Sequence, residues 1–177
     1  MSNREGMKCV AVLGSDQDSC SNTSVFDAAR ESGVLLAERG YTIMVGGGRG
    51  VMAAVVEGAN HAGGMTVAYA ALDEDKSGAR LVAARDLGWG NHSIMMLNAA
   101  DGLLFMSGGA GTLMEFAYGY LLNKPMVALT GYGGWSDTFH QMGMEHLDAR
   151  KVRRIVYVPT PAEAVEALAS MMDGHST

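Results

Sequence analysis

Residues 102–112 read Gly-Leu-Leu-Phe-Met-Ser-Gly-Gly-Ala-Gly-Thr, an apolar run that stops on a cluster of small residues. Apolar runs without polar alternation mark strands buried on both faces, as in parallel sheets covered by helices. Gly102 to Met106 is therefore a predicted strand, and the glycines turn the chain into a helix up to Leu122. Leu113, Phe116, Ala117, Tyr120 and Leu121 share one face of that helix.

The same strand, loop and helix unit recurs on both sides. Upstream, strands are expected over Cys9 to Leu13, Thr42 to Val45 and Met65 to Leu72. Helices are expected over Thr23 to Arg39, stopped by Gly40, and over Val51 to His61. Downstream, a helix over His92 to Ala100 precedes the central unit. Strands over Pro125 to Leu129 and Ile155 to Val158 flank a helix over Ser136 to Ala149. Thr160-Pro161-Ala162-Glu163 then supplies a capping threonine, a proline at the first helical position and a glutamate at the third, which starts a final helix. Alternating strands and helices with right-handed crossovers specify an α/β fold, a doubly wound, mostly parallel sheet in a single three-layer, Rossmann-like domain over residues 1–177. Asp73 to Asn91 is polar and irregular, and a connection of that length reads as a candidate lid.

Composition narrows the function. The chain of 177 residues is 48% hydrophobic and 18% charged, which supports a packed core and excludes disorder. The net charge of −6 opposes a phosphate-backbone footprint and a cationic membrane surface, so neither nucleic acid nor membrane is an expected partner. Cys9 and Cys20 form no disulfide framework and lack CxxC spacing, and no targeting segment is evident, so a cytoplasmic location is expected. His61, His140, His146 and His175 show no metal-ligand spacing, and no metal site or required cofactor is expected.

Ligands of doubly wound sheets bind at the strand C-terminal edge, near the reversal of strand order. The glycine-rich segments follow strands and so gather there. Gly108-Gly109-Ala110-Gly111-Thr112 can let an anion approach the backbone at a helix N-terminus, and the Thr112 hydroxyl can add a donor. Alternatively Thr112-Leu113-Met114-Glu115 is a T-x-x-E capping box. Gly47, Gly48, Arg49 and Gly50 form a second phosphate candidate, with Arg49 as the guanidinium. Gly48 to Ala53 also matches G-x-G-x-x-A, with Asp73 about 20 residues on, so an NAD(P)-binding protein stays open. Gly14 and Ser15, after the first strand, are further candidates. Glu115 lies about 170° from the centre of its helix's apolar face, outside the core, where its carboxylate can act on a sugar or water beside the phosphate.

Gly46-Gly47-Gly48-Arg49-Gly50-Val51-Met52, Ala100-Asp101, Gly108 to Thr112 with Glu115, and Gly131 to Asp137 together resemble one family. It is the Rossmann-like group labelled "possible lysine decarboxylase", which includes the LOG cytokinin riboside monophosphate phosphoribohydrolases. The resemblance runs from about Lys8 to Val158, and Gly131-Tyr132-Gly133-Gly134-Trp135-Ser136-Asp137 is most similar to the molybdenum cofactor carrier branch. The resemblance implies a nucleotide phosphate on Gly108 to Thr112, Glu115 as catalytic acid and an assisting arginine upstream of Ala100-Asp101. His92 stands in that arginine's place and Ser107 in that of the family's proline. The loss of the arginine weighs against hydrolysis more than against phosphate binding.

The expected function is therefore carrier-like binding of a nucleotide, phosphoribosyl or pterin-phosphate ligand, including a molybdopterin-type one. The enzymatic alternative is N-glycosidic hydrolysis of a nucleoside 5′-monophosphate, with Glu115 and His92 as the catalytic pair. No pyridoxal chemistry is expected, because none of Lys8, Lys76, Lys124 and Lys151 is placed at the site edge. The apolar stretch Ile94 to Leu97 and the resemblance suggest a homodimer or homotetramer.

Overall fold

Alternate residues of the buried strands sort to opposite faces. Leu103 and Phe105 join one core cluster, whereas Leu104 and Met106 join the other. The computed structural model describes residues 7–174, so His175 lies outside the described residues. In chain order the elements are β1 (Cys9–Gly14), a 3-10 turn (Gln17–Ser19), α1 (Val25–Glu38), β2 (Thr42–Val45), α2 (Val51–His61), β3 (Thr66–Tyr69) and β4 (Leu81–Ala84). They continue as α3 (Asn91–Ala99), β5 (Gly102–Met106), α4 (Ala110–Leu121), β6 (Met126–Leu129), α5 (Gly134–Gln141), β7 (Ile155–Val158) and α6 (Pro161–Met172).

The strands form one parallel sheet in the order β4-β3-β2-β1-β5-β6-β7. The chain winds outward from β1 to β4, crosses back to β5 and winds outward again, so the order reverses between β1 and β5. One face packs on α1, α2 and α6, and the other on α3, α4 and α5. This is the three-layer, Rossmann-like α/β architecture the sequence specifies.

Three elements differ from expectation. The segment read as a lid contains β4, an edge strand whose residues are at best half-buried, so it lacks the apolar run that betrays a central strand. Helix α5 ends at Gln141, short of Ala149, because Gly143 adopts a left-handed conformation (φ 65°) just past the Met142 cap. The capping box at Thr112 does not form: Gly109 is the N-cap of α4, and Thr112 sits inside the first turn with its hydroxyl on the Gly14 carbonyl at 3.5 Å. The cap at Thr160 does form, its hydroxyl accepting from the Glu163 amide at 3.3 Å and donating to the Glu163 carboxylate at 2.9 Å, so the glutamate closes on the hydroxyl.

Candidate functional site

A cavity of about 520 Å³ opens at the C-terminal edge of the sheet, where the loops after β1, β2 and β5 converge. It lies at the β1–β5 reversal, the place where side-by-side loops diverge and leave a crevice. Gly14, Ser15, Gly47, Gly48, Arg49, Gly109, Ala110, Gly111, Thr112, His92 and Glu115 all line it. Gly50 and Gly108 stand behind that lining.

The loop after β5 is held from below. Ser15 Oγ accepts from the Gly108 amide and meets Ser107 Oγ, both at 3.0 Å, while Ser136 Oγ donates to the Ser107 carbonyl at 3.1 Å. Ser15, expected to meet a ligand, thus spends its hydroxyl joining two loops. These braces hold Ser107 in a left-handed conformation (φ 58°) and aim the chain into α4. No side chain caps α4, and a Cβ added at Gly109 or Gly111 would meet nothing within 4 Å. The first turn therefore presents backbone donors and the positive end of the helix dipole to open space.

The loop after β2 is more committed. The Arg49 amide donates to Asp16 Oδ2 at 3.1 Å, the Gly47 carbonyl accepts from the Lys76 amide at 2.8 Å, and Gly50 sits where a Cβ would lie 2.5 Å from the Ser15 carbonyl. Gly50 is thus required by backbone packing. The Arg49 guanidinium pairs with Asp18 at 2.5 Å, but both side chains are largely exposed, so the pair is weak and the guanidinium can exchange partners. Asp73 does not line the cavity although Glu74 does, and the G-x-G-x-x-A loop follows β2 rather than β1 at the reversal. The structural context of a dinucleotide fingerprint is not met. Lys76 does line the cavity, which corrects the expectation that no lysine reaches the site.

Glu115 is buried, at 8% exposure, and so is neither a cap nor a solvated acid. Its wheel position faces away from the sheet, yet α3 covers that side. Ser93 Oγ donates to Glu115 Oε1 at 2.7 Å and lies 3.3 Å from His92 Nε2, while His92 Nδ1 meets the Gly88 carbonyl at 3.2 Å. A carbonyl only accepts, so Nδ1 carries the imidazole hydrogen and Nε2 is the acceptor. Burial pushes the Glu115 carboxyl up to about 7, against the Ser93 bond that favours the anion, and burial also lowers the His92 pKa. With Glu115 protonated, it can donate to Ser93 and Ser93 to His92, so every group is satisfied. With Glu115 ionised, Nε2 loses its donor.

Sequence reasoning missed Ser93, Asp16 and Lys76. A hydroxyl beside His92 and a helix-capping Asp after Gly14-Ser15 were the available signals, but both act through contacts distant in sequence.

A family model described as the SLOG cluster4 family matches residues 7–165. The chain belongs to the SLOG cluster4 family. Among curated relatives, an uncharacterized protein of Archaeoglobus fulgidus is 29% identical over 122 residues, covering 68% of this chain and 78% of the relative. The X-ray structure of TM1055 superposes on this SLOG cluster4 protein with a TM-score of 0.86 at 30% identity, over 93% of this chain and 99% of that one. The molybdenum cofactor binding protein of Rippkaea orientalis gives 0.78 at 20% identity over 95% and 99%. A Moco carrier protein of Chlamydomonas reinhardtii gives 0.78 at 22% identity over 96% and 99%. These last two share the fold. The resemblance to the LOG group is borne out. Among the described residues no helix is long and apolar enough to cross a membrane, and no group of three His, Cys, Asp or Glu side chains is placed to hold a metal.

Proposed function

We propose that this SLOG cluster4 protein binds a phosphorylated small molecule, a nucleotide, phosphoribosyl or pterin-phosphate ligand, and holds it as a carrier. The observation that carries this reading is the uncapped first turn of α4, with Gly109 and Gly111 open onto a cavity at the strand-order reversal. Arg49 and Lys76 on the cavity wall add exchangeable positive charge. The fold shared with molybdenum cofactor carrier proteins supports a cargo of the pterin-phosphate kind. Gly109→Val tests it, since the added side chain starts in empty space and leaves the fold intact. A ligand at 100 times its Kd stabilises the wild type by about 2.7 kcal/mol, read as a thermal shift, and the variant should lose that shift. An undiminished shift would move the site elsewhere.

One observation favours a second reading. A carboxyl with a pKa of about 7 at a cavity wall is poised for proton transfer at neutral pH. In that reading water adds across the N-glycosidic bond of a nucleoside 5′-monophosphate, releasing the free base and ribose 5-phosphate through an oxocarbenium-like transition state. Glu115 would exchange the proton, and the neutral His92 would supply no cation where the family has arginine. Glu115→Gln should then cut base release by roughly 100- to 10,000-fold with little loss of binding, and His92→Arg should raise it. For a carrier, the wild type releases no base from any nucleoside monophosphate. Release that survives Glu115→Gln undiminished would refute this role for the acid.

A further inference from the structure

Trp89 is 80% exposed, more than any other large hydrophobic side chain among the described residues, and it lines the cavity. Single exposed hydrophobic residues are ordinary on protein surfaces. This one differs because its backbone is fixed. The Leu87 and Gly88 amides donate to the carbonyls of Ala70 and Ala71 at 3.3 and 2.9 Å, and the Gly90 carbonyl accepts from the Ile94 amide at 3.0 Å. The Gly88 carbonyl is held by His92 Nδ1, and the His92 ring meets the indole nearly at right angles, with centroids 5.8 Å apart. Gly88 and Gly90 both take left-handed conformations (φ 77° and 88°), so the chain turns on each side of Trp89 and lifts it out of the fold. The indole is thus a flat apolar surface, exposed to water and anchored at its base.

We infer that Trp89 is the platform on which a fused aromatic heterocycle of the ligand stacks. The ligand is then held at two separate points, its phosphate at α4 and its ring system at Trp89. This rests on the phosphate reading of the cavity. An anchored ring loses little conformational freedom on binding, so most of the stacking free energy appears as affinity. Aromatic stacking accepts any flat π-face, so the platform suits a purine and a pterin alike; guanine and pterin even share the same amino-oxo pyrimidine ring.

Calorimetric titration of the full chain with GMP, a phosphorylated pterin and ribose 5-phosphate tests the division. Trp89→Ala should weaken GMP and the pterin roughly 10- to 100-fold, the range for loss of one base–aromatic stack, whereas Trp89→Phe should retain most of the affinity. Ribose 5-phosphate, which lacks a heterocycle, should bind all three proteins equally. The tighter of the two heterocyclic probes in the wild type identifies the cargo class. Ring-bearing probes that bind Trp89→Ala as tightly as the wild type, with ribose 5-phosphate still bound, would overturn the stacking inference and leave the phosphate reading standing. Equal weakening of ribose 5-phosphate would also overturn it, because the effect would not be confined to the ring. Failure of all three probes to bind the wild type would overturn the phosphate reading and this inference with it.

Discussion

At the scale of single residues, the Glu115 carboxyl has a consequence for stability. Its pKa rises from 4.5 to about 7 on folding, so between those values the folded state binds more protons than the unfolded state, and stability falls as pH rises. At about 1.4 kcal/mol per pH unit, the contribution lost by pH 8 is on the order of 3 kcal/mol relative to pH 4. Burial lowers the His92 pKa and has the opposite sign: its contribution is present above about 6.5 and fades as pH falls. Glu115→Gln removes only the first effect. Urea denaturation at pH 5 and pH 8 should show the wild type losing stability relative to the variant by up to that amount, and parallel pH profiles would contradict the assigned burial. The glycine loops were legible in sequence because a glycine-rich turn between a strand and a helix is a local signature. The partner of Glu115 was not, since Ser93 is distant in sequence and reaches it only when α3 lies over α4. Lys76 was hidden for a similar reason: its place on the wall follows from the loop leading into β4, a strand the sequence does not announce.

At the scale of elements, α1 and α2 meet through their backbones. A Cβ on Gly58 would lie 2.0 Å from the Arg30 carbonyl oxygen, and one on Gly33 would lie 2.1 Å from that of Val55. Alanine in a helix interior normally gains about 1 kcal/mol over glycine, but overpacking against rigid backbone costs about 1–3 kcal/mol and here forces two helices apart. Gly58→Ala should therefore destabilise the protein despite its better helix propensity, by about 1–2 kcal/mol in a denaturant titration. A gain in stability would show that the helices separate freely. The buried strands and the α6 cap were legible in sequence because each carries its own signal: a continuous apolar run or a complete Thr-Pro-x-Glu start. Edge strand β4 and the end of α5 were not. Partial burial erases the run in the first, and residues up to Leu147 continue a helical rhythm past the Gly143 stop in the second.

At the scale of the whole molecule, α3 buries Met96 and Leu97 but leaves Ile94 and Met95 37% and 46% exposed, and the adjoining α4 exposes Leu121. Asn98 bonded to the Tyr118 hydroxyl ties the two helices into one surface. We expect this surface to join two copies of the chain. Light scattering at micromolar concentration should give a dimer, or a tetramer built from it, and Met95→Glu should yield monomer; a monomeric wild type would reject the arrangement. The sheet also ends in two edge strands, and an open strand edge is a template onto which another chain can add strand by strand. Edge β4 is guarded against this. Its register slips between Ala68 and Tyr69, so Val82 and Ala84 pair with β3 while Ala83 has no partner there, and Arg80 and Arg85 bracket the strand. At the opposite edge the Ile155 amide donates to the Glu145 carbonyl at 2.8 Å, which covers the start of β7. A docking strand would therefore meet a slipped register at one edge and an occupied amide at the other. The same sheet that gathers the glycine loops on one rim thus has flanks poorly matched to an added strand.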